Sequence, residues 1–278
     1  MLFVPRGGNS FAAVQSNNSG RPTAPQGTSV TPAVGSKGSW VQAISSLTDD
    51  AFGLIICINN NNVSAASRNS VLDIGIGAAA SEVVLFPDLI CGNAVNYNVS
   101  GGGVWYYFPI AIPAGTRIAI RAQSTVTTAF NCFIQALQKP QNPSMFKACS
   151  YVEAIGMTAP QGTGPYTPGT TSEGAWQLLG ASTRDNWFWQ IGAQVNSSDT
   201  SHVAAAMHLD LAYGDATNKD ILLDSVLFTT ASTEGHTNPL LTVGAGGFVP
   251  AGTNIYFRAQ TSGAASDGIF VTAYGAGG

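Results

Sequence analysis

Ile112-Pro-Ala-Gly-Thr-Arg-Ile-Ala-Ile-Arg-Ala-Gln123 and Val249-Pro-Ala-Gly-Thr-Asn-Ile-Tyr-Phe-Arg-Ala-Gln260 are one segment written twice, and the recurrence decides how the chain is read. Working outward, Leu72-Asp73-Ile74 returns as Leu209-Asp210-Leu211, Gly38-Ser-Trp40 as Gly174-Ala-Trp176, and Thr23-Ala-Pro-Gln-Gly-Thr28 as Thr158-Ala-Pro-Gln-Gly-Thr163. Order is kept and the offset drifts only from 135 to 137 residues. Collinear self-similarity of this kind marks two units of one fold. The expected division is an N-terminal arm over residues 1–21, a first domain over 22–139, a linker over 140–156 and a second domain over 157–278.

Gly, Pro, Asn, Ser and Thr interrupt the chain too often for helices of 3.6-residue period to survive. In the first unit short strands are read at Trp40 to Ile44, Phe52 to Ile58, Val71 to Gly77, Glu82 to Phe86, Trp105 to Ile110, Arg117 to Gln123 and Asn131 to Leu137. Seven short strands between turn residues predict an all-β chain: two tandem homologous antiparallel β-sandwich domains, jelly-roll-like, behind an extended N-terminal arm. Pro113-Ala-Gly115 and Pro250-Ala-Gly252 each read as a turn between strands, proline presetting φ and glycine supplying a positive φ at the exit.

Strand alternation puts Leu72, Ile74 and Ile76 on a core face and Asp73, Gly75 and Gly77 on the other, with Arg121 and Arg258 likewise outward. Asp73 with Arg121, and Asp210 with Arg258, either pair across the outer face of a sheet or remain separately solvated. Separate solvation is the expected state. Residues 1–21, with Arg6-Gly-Gly-Asn-Ser10 and Gln15-Ser-Asn-Asn-Ser-Gly20, cannot form a core of their own and are expected to gain order along a neighbouring subunit.

Of 278 residues only 9% are charged, with 11 Lys and Arg against 15 Asp and Glu. A hydrophobic fraction of 45% and 32 glycines exclude a disordered chain, since disorder combines low hydrophobicity with high net charge. A pI near 5.2 without a basic cluster argues against binding nucleic acid through its phosphates. No apolar run reaches membrane-spanning length, and Met1 to Arg6 lacks the basic start and apolar stretch of a secretion signal. Neither a nucleic acid nor a membrane is expected as partner. Without secretion the sequons at Asn62 and Asn98 carry no meaning.

No nucleophile elbow, dinucleotide fingerprint, phosphate loop or zinc-protease helix occurs. All three histidines, His202, His208 and His236, fall in the second unit. No catalytic, cofactor-binding or metal-binding residue is therefore assigned, no cofactor is expected, and an enzyme is not expected. The densest polar group is His208, Asp210, Asp215, Asn218, Asp220 and Asp224. Hard cations use such oxygen donors, but the spacing is not that of an EF-hand loop, and a solvated turn is the expected reading.

Cys57, Cys91 and Cys132 are read as buried thiols in apolar slots. Cys149 lies in the expected linker, where it is read as a free thiol with an intermolecular disulfide as the alternative. Trp105-Tyr-Tyr-Phe108 and Trp187-Phe-Trp189 place alternate rings inside, and the outward ones favour protein contact over sugar stacking.

A tandem sandwich rich in Gly, Ala, Ser, Thr and Asn, with Phe108-Pro109 ahead of the first Ile/Val-Pro-Ala-Gly-Thr-x-Ile-x-x-Arg-Ala-Gln segment, resembles virion structural proteins of tailed bacteriophages. The resemblance implies a non-catalytic part of the virion that decorates the capsid or joins the collar or neck through protein–protein contacts. Its implied partners are other virion proteins and further copies of itself. A fibre or receptor-binding, carbohydrate-binding sandwich is the alternative.

Overall fold

The structure, a computed structural model, describes residues 12–15, 27–59, 69–91, 104–138, 148–160, 166–195, 205–231, 234–236, 245–262 and 268–278. The described residues form strands, turns and bridges with no helix, and so contain no helix long and apolar enough to cross a membrane.

The first repeat comprises β1 (Ala12–Gln15), β2 (Thr28–Val30), β3 (Ala33–Val34), β4 (Val41–Ile44), β5 (Ala51–Asn59), β6 (Ser70–Ile76), β7 (Val83–Ile90), β8 (Val104–Phe108), β9 (Ile118–Ser124) and β10 (Phe130–Gln138). The second comprises β11 (Tyr151–Gly156), β12 (Gln177–Ala181), β13 (Asn186–Val195), β14 (Ala205–Gly214), β15 (Lys219–Ala231), β16 (Glu234–His236), β17 (Ala245–Val249), β18 (Asn254–Thr261) and β19 (Ile269–Gly277). All seven strands read in the first repeat are present, with ends shifted by up to four residues.

One sheet of the first sandwich runs β1-β10-β5-β8 and the other β4-β9-β6-β7, with β2 and β3 as short additions. The second sandwich repeats this as β11-β19-β13-β17 and β12-β18-β14-β15, with β16 added beyond β15. Leaving out the additions, each sandwich has its first, eighth, third and sixth strands in one sheet and its second, seventh, fourth and fifth in the other. That is the order of a jelly roll, whose eight strands alternate between two sheets.

The equivalence reaches single contacts. Val30 pairs with Phe130 as Tyr166 pairs with Ile269, and Ala33 runs parallel beside Gln123 as Gly169 does beside Gln260. Gly115 donates to the Leu47 carbonyl and Gly252 to that of Ser182, both at 2.8 Å, with φ of +78° and +83°. The Asp50 and Asp185 carboxylates accept from Ala114 and Ala251 in these two turns, each at 2.8 Å.

Ladder registers correct the expected boundaries. Ala12 pairs with Gln138 as Tyr151 pairs with Gly277, so β1 and β11 are the same strand of the fold. Ala12–Gln15 had been read as arm and Tyr151–Gly156 as linker. Four residues flanked by Ser, Asn and Gly carry too little alternation to announce a strand, and β1 is recognised by its ladder to β10. This part of the arm thus lies along its own sandwich. The remainder of residues 1–21, and 140–147 of the linker, fall outside the described residues.

Each sandwich has its own core, built on Leu54, Ile56, Ile74 and Phe86 in the first and on Trp189, Ile191, Leu209 and Phe257 in the second. Burial of this apolar surface is the main stabilising contribution, at roughly 25 cal/mol per Å². Tyr274 and Ala276 of the second repeat pack with the core of the first, which joins the two sandwiches along an apolar seam.

Candidate functional site

Each repeat contains one strongly bent strand edge, built from equivalent residues. Asp73 on β6 is 3% exposed and Asp210 on β14 is 1% exposed, so each stands on the outer face expected of it but is not solvated there. Both are paired. The Arg121 Nε donates to Asp73 at 2.9 Å and the Arg258 Nε to Asp210 at 2.8 Å, and each guanidinium lies 4.5 Å from the ring centre of Trp40 or Trp176. The indole covers the ion pair, and a buried carboxylate keeps its charge only when paired and hydrogen-bonded.

The second carboxylate oxygen reaches the neighbouring strand. Asp73 accepts from the Asp88 amide at 3.0 Å and Asp210 from the Ser225 amide at 2.8 Å. Asp88 and Ser225 both have φ of +52°, a left-handed conformation that a non-glycine residue adopts only when its surroundings hold it there. The register shifts at these points, so the carboxylate fixes a bulge in β7 and in β15.

The two sites diverge in charge. In the first, Lys37 bridges Asp73 at 2.5 Å and Asp88 at 2.7 Å. In the second, Glu173 occupies the place of Lys37 and meets Arg258 at 2.5 Å. Burial and the adjacent Asp210 push the Glu173 carboxyl above its ordinary range. Burial also acts upward on Asp210, but the Ser225 amide and the Arg258 guanidinium outweigh it and hold that carboxyl low.

Beyond the bulge, β7 is an edge strand, and its outward groups are taken up by the second sandwich. The Ile90 amide donates to the Tyr274 hydroxyl at 2.7 Å, which in turn donates to the Asp88 carbonyl at 2.9 Å. The Tyr106 hydroxyl donates to the Ile90 carbonyl at 2.7 Å, and the Gln190 amide group donates to the carbonyl of Tyr107 on the edge strand β8 at 2.6 Å. Val71, Ile90, Met157 and Phe270 close the seam with an apolar cluster. Gly192 is required here, because a Cβ on it would stand 2.6 Å from the Tyr106 hydroxyl and 3.3 Å from the Ile90 Cβ.

At the matching point of the second sandwich no described residue covers the outer edge of β15, which β16 pairs only further along, at residues 229–231. His208 pairs with Leu227 as Val71 pairs with Ile90, and Leu227 is 42% exposed, whereas Ile90 is fully buried. On the first sandwich, the face matching the one that receives β7 presents Ile55, Cys57, Phe133 and Gln135, all half-buried.

Other sequence readings resolve locally. Asp215 accepts from the amides of Thr217 at 2.7 Å and Asn218 at 2.6 Å, which caps the β14–β15 turn and holds its carboxyl below the usual range. Among the described residues no three of His, Cys, Asp and Glu are grouped to hold a metal. His202 and the two sequons lie outside the described residues. Tyr106 and Phe108 point inward and Trp105 and Tyr107 outward, as alternation requires. Tyr107 meets Phe188 at 6.2 Å, so this outward ring contacts the second sandwich of the same chain.

Cys149 is fully buried where the chain crosses the first sandwich, with the Ala111 amide donating to its carbonyl at 2.9 Å. That removes it as a candidate for an intermolecular disulfide. Cys57 departs the other way: it is half-buried and faces outward, though burial still pushes its thiol up to about 11. A buried thiol is expected at Cys57 from its match to the apolar Ala193, but the ladder registers match it to the outward Gly192 instead. The docking edge had no local signal in the sequence; only the duplication points to it, once one copy is seen to be occupied.

No family model and no curated protein matches the chain. Among solved structures, it is similar to PNGF-II, with a TM-score of 0.38 and 9% identity over 96% of this chain and 65% of that one. It therefore spans about two thirds of PNGF-II. It is also similar to PNGase F, a glycosylasparaginase from Flavobacterium meningosepticum, with a TM-score of 0.37 and 7% identity over 97% and 96% of the two chains. A structure of the infectious bursal disease virus Gt strain follows at a TM-score of 0.22 and 10% identity, over 96% and 71%. Likenesses this distant transfer no activity.

Proposed function

We propose that the chain is a non-catalytic structural component of a phage particle, decorating the capsid or joining collar and neck through protein–protein contacts. The observation that carries the reading is the stretch of β15 at Leu227, which no described residue covers and which is equivalent to one that already makes a tight protein contact inside the chain. Two further large apolar side chains of the second sandwich, Ile221 on β15 at 50% and Phe248 on β17 at 61% exposed, stand at a surface of the kind used for protein contact. The carboxylates of the described sites are engaged in structure: Asp73 and Asp210 hold bulges, and Asp50, Asp185 and Asp215 cap turns. The phage setting rests on the sequence resemblance.

Mass spectrometry of purified particles tests this. The chain is expected at a fixed ratio to the major capsid protein. Absence from particles, turnover of a defined substrate, or selective binding on a glycan array by protein that particles lack would overturn the reading.

A further inference from the structure

The second sandwich repeats the edge by which the first is docked, and among the described residues the stretch of β15 before its pairing with β16 carries no covering partner. We propose that this edge, centred on Ser225 and Leu227, binds a second copy of the chain through the outer β5–β10 face of its first sandwich, so that copies associate head to tail. The inference stands on repeat geometry and does not depend on the particle reading.

Inside the chain the contact joins an edge to a face. The edge offers the Ile90 amide and the Asp88 carbonyl beside the carboxylate-held bulge, and the face offers Tyr274 and Gly192. On the second sandwich the bulge recurs with the same φ and the same amide-to-carboxylate bond, so the Leu227 amide and Ser225 carbonyl present the same pattern. β16 pairs β15 only at residues 229–231, and an unpaired stretch of strand with outward amides and carbonyls is a natural site of association.

The ladder registers also give the matching positions on the face. Gln135 stands where Tyr274 stands, Cys57 where Gly192 stands, and Asn131 where Phe270 stands. A glutamine side chain both accepts and donates, so Gln135 can take the Leu227 amide and serve the Ser225 carbonyl as the Tyr274 hydroxyl does for Ile90 and Asp88. The substitutions are complementary. The apolar Val71–Phe270 contact becomes His208 facing Asn131, a polar residue on each side. Ile55 in place of Gln190 forgoes one hydrogen bond. The result is a more polar version of the seam, suited to reversible association between folded chains.

Charge favours a second copy as the occupant. Residues 1–139 hold seven basic and five acidic side chains, a net of +2, and residues 140–278 hold four and ten, a net of −6. First sandwich against second is thus the attractive combination, and second against second the repulsive one. An edge-to-face contact is heterologous, so it closes into a ring or continues as a filament according to its rotation.

The test uses the full chain in sedimentation velocity and oxidative cross-linking. Leu227→Cys on one copy is expected opposite native Cys57 of the next, because a Cβ at the matching Gly192 position stands 3.3 Å from the Ile90 Cβ, close to the roughly 3.5–4.5 Å separation of a disulfide. Copper-phenanthroline oxidation of Leu227→Cys is expected to give a covalent ladder on non-reducing gels, lost when Cys57→Ser is added. Leu227→Glu is expected to weaken association at least about tenfold. Leu178→Glu, at an equally exposed leucine on β12, leaves it unchanged. A wild-type chain that stays monomeric at about 100 µM, association indifferent to Leu227→Glu, no ladder, or a ladder that survives Cys57→Ser would each overturn the proposal.

Discussion

Tyr274 completes the strand edge that ends at Ile90. Its hydroxyl accepts the Ile90 amide at 2.7 Å, and the same oxygen donates to the Asp88 carbonyl at 2.9 Å, so one phenol satisfies two backbone groups of another sandwich. The bulge that turns those groups outward is held by Asp73, which is held in turn by Arg121 under Trp40. A line of dependence therefore runs from a buried ion pair to the seam between the two halves of the molecule.

Removing that hydroxyl isolates the edge. Tyr274→Phe keeps the ring, including its 5.5 Å contact with Tyr106, but leaves a buried amide and carbonyl without a partner. The expected cost is about 1–3 kcal/mol, read as a lower urea midpoint with an unchanged slope. An unchanged midpoint would mean that the seam contributes nothing through this bond.

Alkaline pH should act on the same residue. Burial raises the Tyr274 and Tyr106 hydroxyls well above the value of about 10 that an unfolded tyrosine has. The unfolded chain therefore ionises first, so the stability that depends on these neutral hydroxyls is full below pH about 10 and falls as pH rises beyond it. Spectrophotometric titration of the eight tyrosines is expected to show earlier, reversible ionisation of the less buried ones and a late step that coincides with loss of fold. Tyr274→Phe should shrink the late step.

Gly75 tests the clasp at the other end of the line. A Cβ there would meet the Trp40 ring at 2.6 Å, so Gly75→Ala must displace the indole from Arg121. Overpacking of this kind costs roughly 1–3 kcal/mol. The matching position on β14 already holds Ala212, so Ala212→Gly is expected to change stability far less. Both are measured by urea unfolding; equal effects would show that the Trp40 stack does not support the ion pair.

Much of this was legible in the sequence, and the exceptions share a cause. Alternation in Val71 to Gly77 and the duplicated Pro-Ala-Gly turns specify strands, faces and two sandwiches, because those features are local and repeat. Asp73 and Arg121 were placed on the correct face, but their pairing depends on an indole 33 positions from Asp73 and an amide 15 positions away, which no spacing rule connects. Strand β1 shows itself only through its ladder to β10, which no local pattern announces. The seam is the least legible: Gln190, Gly192 and Thr272 look like a solvated face, yet they are covered, while the apolar Ile55, Cys57 and Phe133 hold the matching half-buried positions. Local polarity reports burial within a sandwich and says little about which outer face another sandwich will cover.

Cys57 should be accessible yet slow to react. Its side chain faces outward, but burial lifts the thiol to about 11, against about 8.5 for an unperturbed cysteine. The thiolate is the nucleophile, so alkylation by iodoacetamide at pH 8 is expected to run about a hundredfold below that of a free thiol and to accelerate steadily toward pH 10. Labelling followed by peptide mass spectrometry should find Cys57 modified ahead of the buried Cys91, Cys132 and Cys149. Faster labelling of any of those three would contradict the burial that the fold assigns them.

Salt should separate the two contributions to self-association. The net charges of +2 and −6 on the two halves steer a first sandwich toward a second, whereas the contact around Leu227, Cys57 and Gln135 is largely uncharged. Raising salt from about 0.1 M toward 1 M shortens the screening length from about 10 Å to about 3 Å. Steering acts on encounter, so the association rate is expected to fall several-fold over that range while the dissociation rate stays nearly constant. Surface plasmon resonance with the chain immobilised through a C-terminal tag reads both rates. A dissociation rate that climbs with salt would place charged pairs inside the contact. An association rate that climbs with salt would mean that like-charged second sandwiches meet, which the edge-to-face arrangement forbids.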